Sequence, residues 1–354
     1  MDFGIFNLMG CRDPAKPTAQ VFAEVTEQTR AAEALGYGIA WFAEHHFSNY
    51  SLCASPLQLV AHCAAVTKRI RLGTAVVVLP LYNPARLLAD IATADALSDG
   101  RLALGVGAGY QPYEFERFGL DLADSMAMTE EILDIIALGL TQDFFSYEGK
   151  HFKLPKTHIA ARPVQNKLPI WIAGHSEPMF RLAARRGYKP LSSGRTEALA
   201  WLEAQRRDCV AAYRAENKPV ESIELSLLRF CCITDSKDEA RRYAENARYQ
   251  TRLASSLRRR EEAMDGTVLR DAPFPGEPPL EQLLANLPIG DVELVTERLI
   301  AEIRAAQPAH ICFNFQCGDV PIETALRSMG RFAAEVRPRL ERALGPLEPL
   351  GMAA

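Results

Sequence analysis

Short apolar runs alternate along this chain with longer stretches in which apolar positions recur every three or four residues. The runs cover residues 2–8, 40–42, 71–80, 101–107, 168–174, 189–192, 223–234 and 310–315, and each reads as a β-strand. The third, 71–80, is apolar on both faces, as parallel strands covered by helices must be. Helical periodicity follows from Thr18, a candidate cap, to about Leu35, with Gly36 as the stop; from Pro56; and from Asn83-Pro84 to Asp99-Gly100. Further helices are predicted over 124–140, 177–186, 196–217, 237–260, 292–306 and 322–340. A doubly wound sheet and a barrel would begin alike, but eight strands each followed by helix predict a (β/α)8 TIM barrel of the α/β class. The barrel is expected to be one domain over residues 1–345, with a tail at 346–354. Within it, 144–167 is irregular, with Gly149 marking a small hairpin. The proline-rich stretch 258–290 reads as a mobile lid before the last strand; a floppy surface insertion is its bland alternative.

Composition narrows the partners. The net charge of −4 and pI near 6.0 give no basic surplus, which argues against nucleic acid. No apolar run is long enough to span a bilayer, and the N-terminus lacks the basic start of a signal peptide. The eight cysteines are scattered without a CxxC pair and read as free thiols in a reducing cytoplasm.

The chemistry concentrates at strand ends. The second strand runs into Glu44-His45-His46-Phe47, a carboxylate and two imidazoles where a barrel presents side chains to a substrate. Satisfied loop residues or half of a metal site are the alternatives, but adjacent side chains diverge and no HExxH occurs, so no metal is expected. Gly105-Val106-Gly107-Ala108-Gly109-Tyr110 departs from the dinucleotide GxGxxG, and Gln111-Pro112 interrupts any helix start behind it. Its glycines are read instead as permitting close backbone approach to a flat ligand. Gly174-His175-Ser176 joins the fifth strand to a helix, which suits an anion or simple capping by Ser176.

Taken together, Phe3-Gly4-Ile5-Phe6, Trp41-Phe42-Ala43-Glu44-His45-His46-Phe47, Gly73-Thr74-Ala75-Val76-Val77-Val78-Leu79-Pro80 and Ser98-Asp99-Gly100-Arg101 resemble the bacterial luciferase-like, flavin-dependent monooxygenases. The motifs are most like the luciferase α subunit, and the likeness covers nearly the whole chain. The resemblance implies a dimeric barrel that takes FMNH2 from a separate flavin reductase, uses O2 and forms a flavin C4a-hydroperoxide. It assigns His45 to catalysis and a cis peptide at Ala75-Val76 beneath the flavin ring. It puts Gly107, Ala108 and Gly109 beside the flavin, Gly174, His175 and Ser176 at its phosphate, and the 258–290 lid over it. Three positions depart from the family: Gly107 stands for a reactive cysteine, and Ala108 and Met126 stand for phosphate-binding arginines. Arg162 or Arg181 is the candidate replacement cation, and light emission is not expected.

The expected function is a two-component monooxygenase that inserts one oxygen atom into a small or medium organic substrate, with Asn7, Met9, Phe47 and Tyr110 as substrate contacts. The protein is expected to be a cytoplasmic homodimer. The alternatives are an F420-dependent oxidoreductase of the same fold and a non-catalytic flavin-binding relative.

Overall fold

A computed structural model of the chain describes residues 1–347; most of the expected tail, 348–354, lies outside the described residues. Eight parallel strands close on themselves: β1 (Asp2–Asn7), β2 (Ile39–Phe42), β3 (Arg71–Thr74), β4 (Leu102–Gly107), β5 (Ile170–Ala173), β6 (Lys189–Ser193), β7 (Ser226–Phe230) and β8 (His310–Asn314). Each pairs with the next, and β8 pairs with β1 through Phe3↔Ile311 and Gly4↔Cys312. This is the expected (β/α)8 barrel. The surrounding helices are α1 (Thr18–Ala34), α2 (Pro56–Ala64), α3 (Pro84–Leu97), α4 (Pro112–Arg117), α5 (Ser125–Thr141), α6 (Glu177–Arg186), α7 (Leu199–Ala215), α8 (Lys237–Arg259), α9 (Leu280–Asn286), α10 (Val292–Ala306), α11 (Ile322–Arg331) and α12 (Arg337–Leu344).

Two indoles and an imidazole fill the barrel interior. Trp41 lies in the space that Gly73 leaves open, since a Cβ there would fall 2.3 Å from the indole. Its ring meets that of Trp171 edge-on at 5.1 Å. Trp41 Nε1 donates to His310 Nε2 at 2.9 Å, and Trp171 Nε1 donates to Ser226 Oγ at 3.1 Å, so both buried N–H groups are satisfied. Phe3 of β1 and Phe313 of β8 pack with Phe332, which directly follows α11.

Local details differ from the sequence expectations for identifiable reasons. Pro17, not Thr18, occupies the cap position of α1, and its ring supplies no acceptor; Thr18 is already helical. Asn83 does cap α3, accepting from the N–H groups of Ala85 and Arg86. The third run breaks after Thr74 at a cis Ala75–Val76 peptide and resumes as Val77–Val78. The seventh run splits as well. Ser226–Phe230 stays in the barrel, while Cys232–Ile233 pairs with Ile289–Gly290 outside it. Residues 258–290 comprise the end of α8, a hairpin of Met264–Asp265 with Val268–Leu269, a proline-rich turn, and α9, whose Leu280 and Leu283 are buried.

Arg229 ties the loop after β6 to the frame. It is fully buried and pairs with Glu302 through Nε–Oε2 at 3.1 Å and Nη2–Oε1 at 2.6 Å. It also donates to the carbonyls of Gly194, Glu197 and Asn286. A buried ion pair holds only when its remaining donors are satisfied, and here they fix the backbone on both sides of Arg195.

His310 should shape acid stability. Burial lowers its pKa from 6.5 to about 3. Between those values the unfolded chain binds the extra proton, so stability rises with pH across that window, by at most about 1.4 kcal/mol per pH unit. His310→Gln keeps an acceptor for Trp41. Urea unfolding at several pH values should show a shallower slope in this variant than in the parent. Asp2, pushed up to about 6 by burial, contributes with opposite sign in both proteins and cancels in the comparison.

Candidate active site at the barrel mouth

The two adjacent histidines diverge and serve different partners. His46 Nε2 lies 2.8 Å from Glu44 Oε1. Glu44 also accepts from the Val78 N–H at 3.1 Å and the Tyr82 hydroxyl at 2.9 Å. Burial pushes the Glu44 carboxyl up, and the His46 contact and these donors oppose that rise. Glu44 therefore anchors the segment behind the cis Ala75–Val76 bond to the end of β2. His46 packs edge-on against Phe118 at 4.9 Å, and Phe47, half exposed, packs beside them.

His45 turns the other way. Its Nδ1 lies 3.0 Å from Glu114 Oε1, which also accepts the His46 backbone N–H at 2.7 Å. Glu114 is almost fully buried. A carboxylate can only accept, so it draws the ring proton to Nδ1 and leaves Nε2 as the lone-pair nitrogen. The His45 ring lies 4.6 Å from that of Tyr50 and 5.8 Å from that of Tyr110. Gln111 Nε2 is 3.2 Å from His45 Nδ1 and donates to the Tyr110 hydroxyl at 3.1 Å, while its buried Oε1 has no protein partner. The Tyr110 hydroxyl meets that of Tyr50 at 3.4 Å, and Arg195 Nη1 donates to Tyr50 at 2.7 Å. The Arg258 guanidinium sits over the Tyr110 ring at 5.3 Å.

His45 and Tyr110 are thus brought together. Asn7 and Met9 are buried, and Asn7 Nδ2 donates to the Trp41 carbonyl at 3.3 Å. Phe47 belongs to the His46 side. Ala108 is buried at the end of β4. The glycines on either side of it stand close to other parts of the protein: a Cβ on Gly105 would fall 1.9 Å from the Thr74 carbonyl oxygen, on Gly107 2.9 Å from Val76, and on Gly109 2.6 Å from Phe115. His175 and Ser176 are exposed at the start of α6, and the Ser176 side chain makes no capping bond. Arg162 donates to the Gly139 carbonyl, and Arg181 is held by Glu216 at 2.6 Å and Glu177 at 3.7 Å, so both are committed elsewhere.

Sequence reading missed Glu114, Gln111, Tyr50, Arg195 and Arg258. A signal existed for Glu114: Pro112 does not interrupt a helix but opens α4 at its first turn, where proline is at home. A cleft of about 370 Å3 between residues 13–24 and 318–323 shares no residue with the histidine cluster.

The sequence profile of the luciferase-like monooxygenases matches residues 1–308. The chain belongs to this family. It is 40% identical over 350 residues to uncharacterized protein y4vJ of Sinorhizobium fredii, covering 98% of this chain and 100% of that one. It is 28% identical over 247 residues to the oxygenase component of a flavin-dependent trigonelline monooxygenase from Acinetobacter baylyi, covering 68% and 67%. The fold is shared with monooxygenase RslO1 from Streptomyces bottropensis, at TM-score 0.82 and 22% identity over 96% and 99% of the two chains. It is also shared with the oxygenating constituent of 3,6-diketocamphane monooxygenase from Pseudomonas putida in complex with FMN, at TM-score 0.77 and 22% identity over 96% and 98%. An F420-dependent secondary alcohol dehydrogenase shares it at TM-score 0.75 and 18% identity, again over 96% and 98%. As a luciferase-like monooxygenase family member, the chain carries His45 and Glu114 within one bonded cluster. No described helix is long and apolar enough to cross a membrane.

Glu114→Ala tests the tautomer assignment. Nitrogen-15 NMR of the parent should show neutral His45 protonated on Nδ1, and the variant should lose that preference. Loss of the acceptor shared with the His46 N–H should also cost about 1–3 kcal/mol in unfolding experiments. A parent ring protonated on Nε2 would contradict the assignment.

Proposed function

We propose that this chain is the oxygenase of a two-component system. It would take up FMN reduced by a separate flavin reductase, use O2, and deliver one oxygen atom to a small or medium organic substrate by hydroxylation or Baeyer–Villiger attack. The observation that carries this reading is the His45–Glu114 pair at the mouth of a barrel of this family. With Nδ1–H given to Glu114, His45 Nε2 is the atom free to take or return a proton, and the buried carboxylate offsets the imidazolium that results.

The donor set fits FMN. Gln111 keeps a buried polar atom without a partner beside His45. The ten-residue α6 begins with N–H groups that have no intrahelical acceptor and no side-chain cap, which suits a phosphate. Bound FMN would supply the electrons and the oxygen chemistry. Ala75, Val76, Gly107, Ala108 and Gly109 would support the ring, with Gly174, His175 and Ser176 at the phosphate. Asn7, Met9, Phe47 and Tyr110 remain the proposed substrate contacts. Arg258, rather than Arg162 or Arg181, is the cation we assign to offset the charge missing at Ala108 and Met126. It lies near enough to His175 to help lower that imidazole's pKa, after burial as the larger cause. The stretch 258–290 would act as a lid, its hairpin held at Asn49 through the Leu269 N–H at 2.8 Å, and would keep water from the site. A homodimer working in the cytoplasm completes the proposal.

Stopped-flow mixing of the protein and photoreduced FMN with oxygenated buffer tests it. Reoxidation should follow a protein-dependent course distinct from that of free FMNH2, and His45→Ala should change its rate by about 100-fold. A trace identical to free FMNH2, together with tight binding of a deazaflavin, would transfer the chain to the F420-dependent reading. An unchanged rate in His45→Ala would remove His45 from the chemistry.

A further inference from the structure

Arg195 stands on the loop whose carbonyls at Gly194 and Glu197 are gripped by buried Arg229. Its position is therefore set by the frame. A guanidinium offers five N–H donors in a planar fork. Arg195 uses one toward the protein, from Nη1 to the Tyr50 hydroxyl at 2.7 Å. It forms no ion pair among the described residues; the nearest acidic influence is Glu197, two residues along.

Its surroundings point the same way. Tyr50 is buried, and its ring faces His45 at 4.6 Å. Tyr110 joins the same hydroxyl at 3.4 Å, and Arg258 lies over the Tyr110 ring with no ion pair among the described residues. Gln111, wholly buried, keeps one amide atom unpaired in the cluster. The two carboxylates close by are already engaged, Glu114 with His45 and His46, Glu44 with His46, Val78 and Tyr82. Two cations and two phenols thus converge beside His45, and neither cation is ion-paired to a carboxylate among the described residues. An unpaired cation in a part-buried site costs free energy unless its ligand supplies the counter-charge.

We infer that Arg195, with Tyr50 and Tyr110, is a receptor for an oxyanion beside His45, and that the substrate of this enzyme carries a carboxylate. The inference deepens the proposed monooxygenase reading and rests on it for the word substrate. The open edge of the fork suits two parallel N–H···O bonds to a carboxylate, while the Tyr50 and Tyr110 rings offer an aromatic wall to the rest of the molecule. The flavin phosphate has the same oxyanion chemistry. It is better served by the start of α6 and by Arg258, whereas Arg195 is joined to the His45 side through Tyr50.

The test uses the full-length protein, with benzoate, its neutral counterpart benzamide, inorganic phosphate and FMN as probes, each titrated against intrinsic fluorescence. Benzoate should bind and benzamide should not. Arg195→Met should weaken benzoate by about 10- to 100-fold, with FMN affinity held within about twofold. Arg195→Lys keeps the charge without the fork and should fall between; it also serves if the methionine variant does not fold. Equal binding of benzoate and benzamide, or benzoate affinity unchanged in both variants, would overturn the inference. So would a loss confined to FMN and inorganic phosphate, which would make Arg195 a phosphate ligand. Should Arg195-dependent benzoate binding persist while reduced FMN shows no protein-dependent reoxidation, the oxyanion receptor stands and the monooxygenase reading fails.

Discussion

One hydroxyl bridges the break in the pairing between β3 and β4. Strand pairing there runs Leu72↔Leu102 and Gly73↔Ala103, then resumes as Val77↔Val106 and Val78↔Gly107. The offset between partners changes by one residue, so 74–76 on one side face 104–105 on the other. Ordinary backbone pairing cannot span such a slip. Thr74 Oγ1 spans it, donating to the Gly105 carbonyl at 2.7 Å and accepting the Gly105 N–H at 2.9 Å. The approach needs glycine at 105, because the Thr74 carbonyl occupies the space of a Cβ. The slip carries Ala75 and Val76 out of the ladder at the mouth, and Glu44 then fastens the returning strand at Val78. The mouth is therefore built from the frame outward.

The same logic separates frame from chemistry among the charged groups. Glu44 accepts three donors and Arg229 is matched by Glu302 and three carbonyls, so neither has capacity left for a ligand. His45 and Arg195 are different, because each is held on one edge only: the imidazole by Glu114 at Nδ1, the guanidinium by Tyr50 at Nη1. Groups fixed on one side and open on the other are positioned in advance of the ligand, which is what proton transfer and anion recognition both require. His310 also leaves one nitrogen, Nδ1, without a hydrogen-bond partner, but it stands at the first residue of β8, the opposite end of the strand from the mouth. It accepts from Trp41 inside the barrel, and burial holds it neutral.

How much of this was legible in the sequence follows from which interactions are local. Strand and helix periodicity is local, and the eight-fold alternation showed through. Asn83 next to Pro84 announced a helix start, and the cis peptide at Ala75–Val76 was expected because the resemblance extended residue by residue through that stretch. The register slip was hidden, since it depends on Thr74 meeting a glycine thirty-one residues away. The neighbours that a side chain at 105, 107 or 109 would meet, Thr74, Val76 and Phe115, were equally hidden, because they come from distant parts of the chain. The break in the seventh run depends on Cys232–Ile233 finding Ile289–Gly290. Glu114 and Arg195 sit alone in ordinary-looking segments. Each acquires meaning only when the barrel carries it to His45 or Tyr50, 69 and 145 residues away along the chain.

The account turns on one arrangement: His45, oriented by Glu114, facing a flavin held at the mouth. A crystal structure of the protein soaked with FMN examines it most directly. The account predicts the ring against Ala75 and Val76, the phosphate at the first turn of α6, and His45 Nε2 on the side of the ring with Nδ1 still bonded to Glu114. A flavin bound with its ring away from Ala75 and Val76, or with Nδ1 turned from Glu114 toward the cofactor, would contradict it.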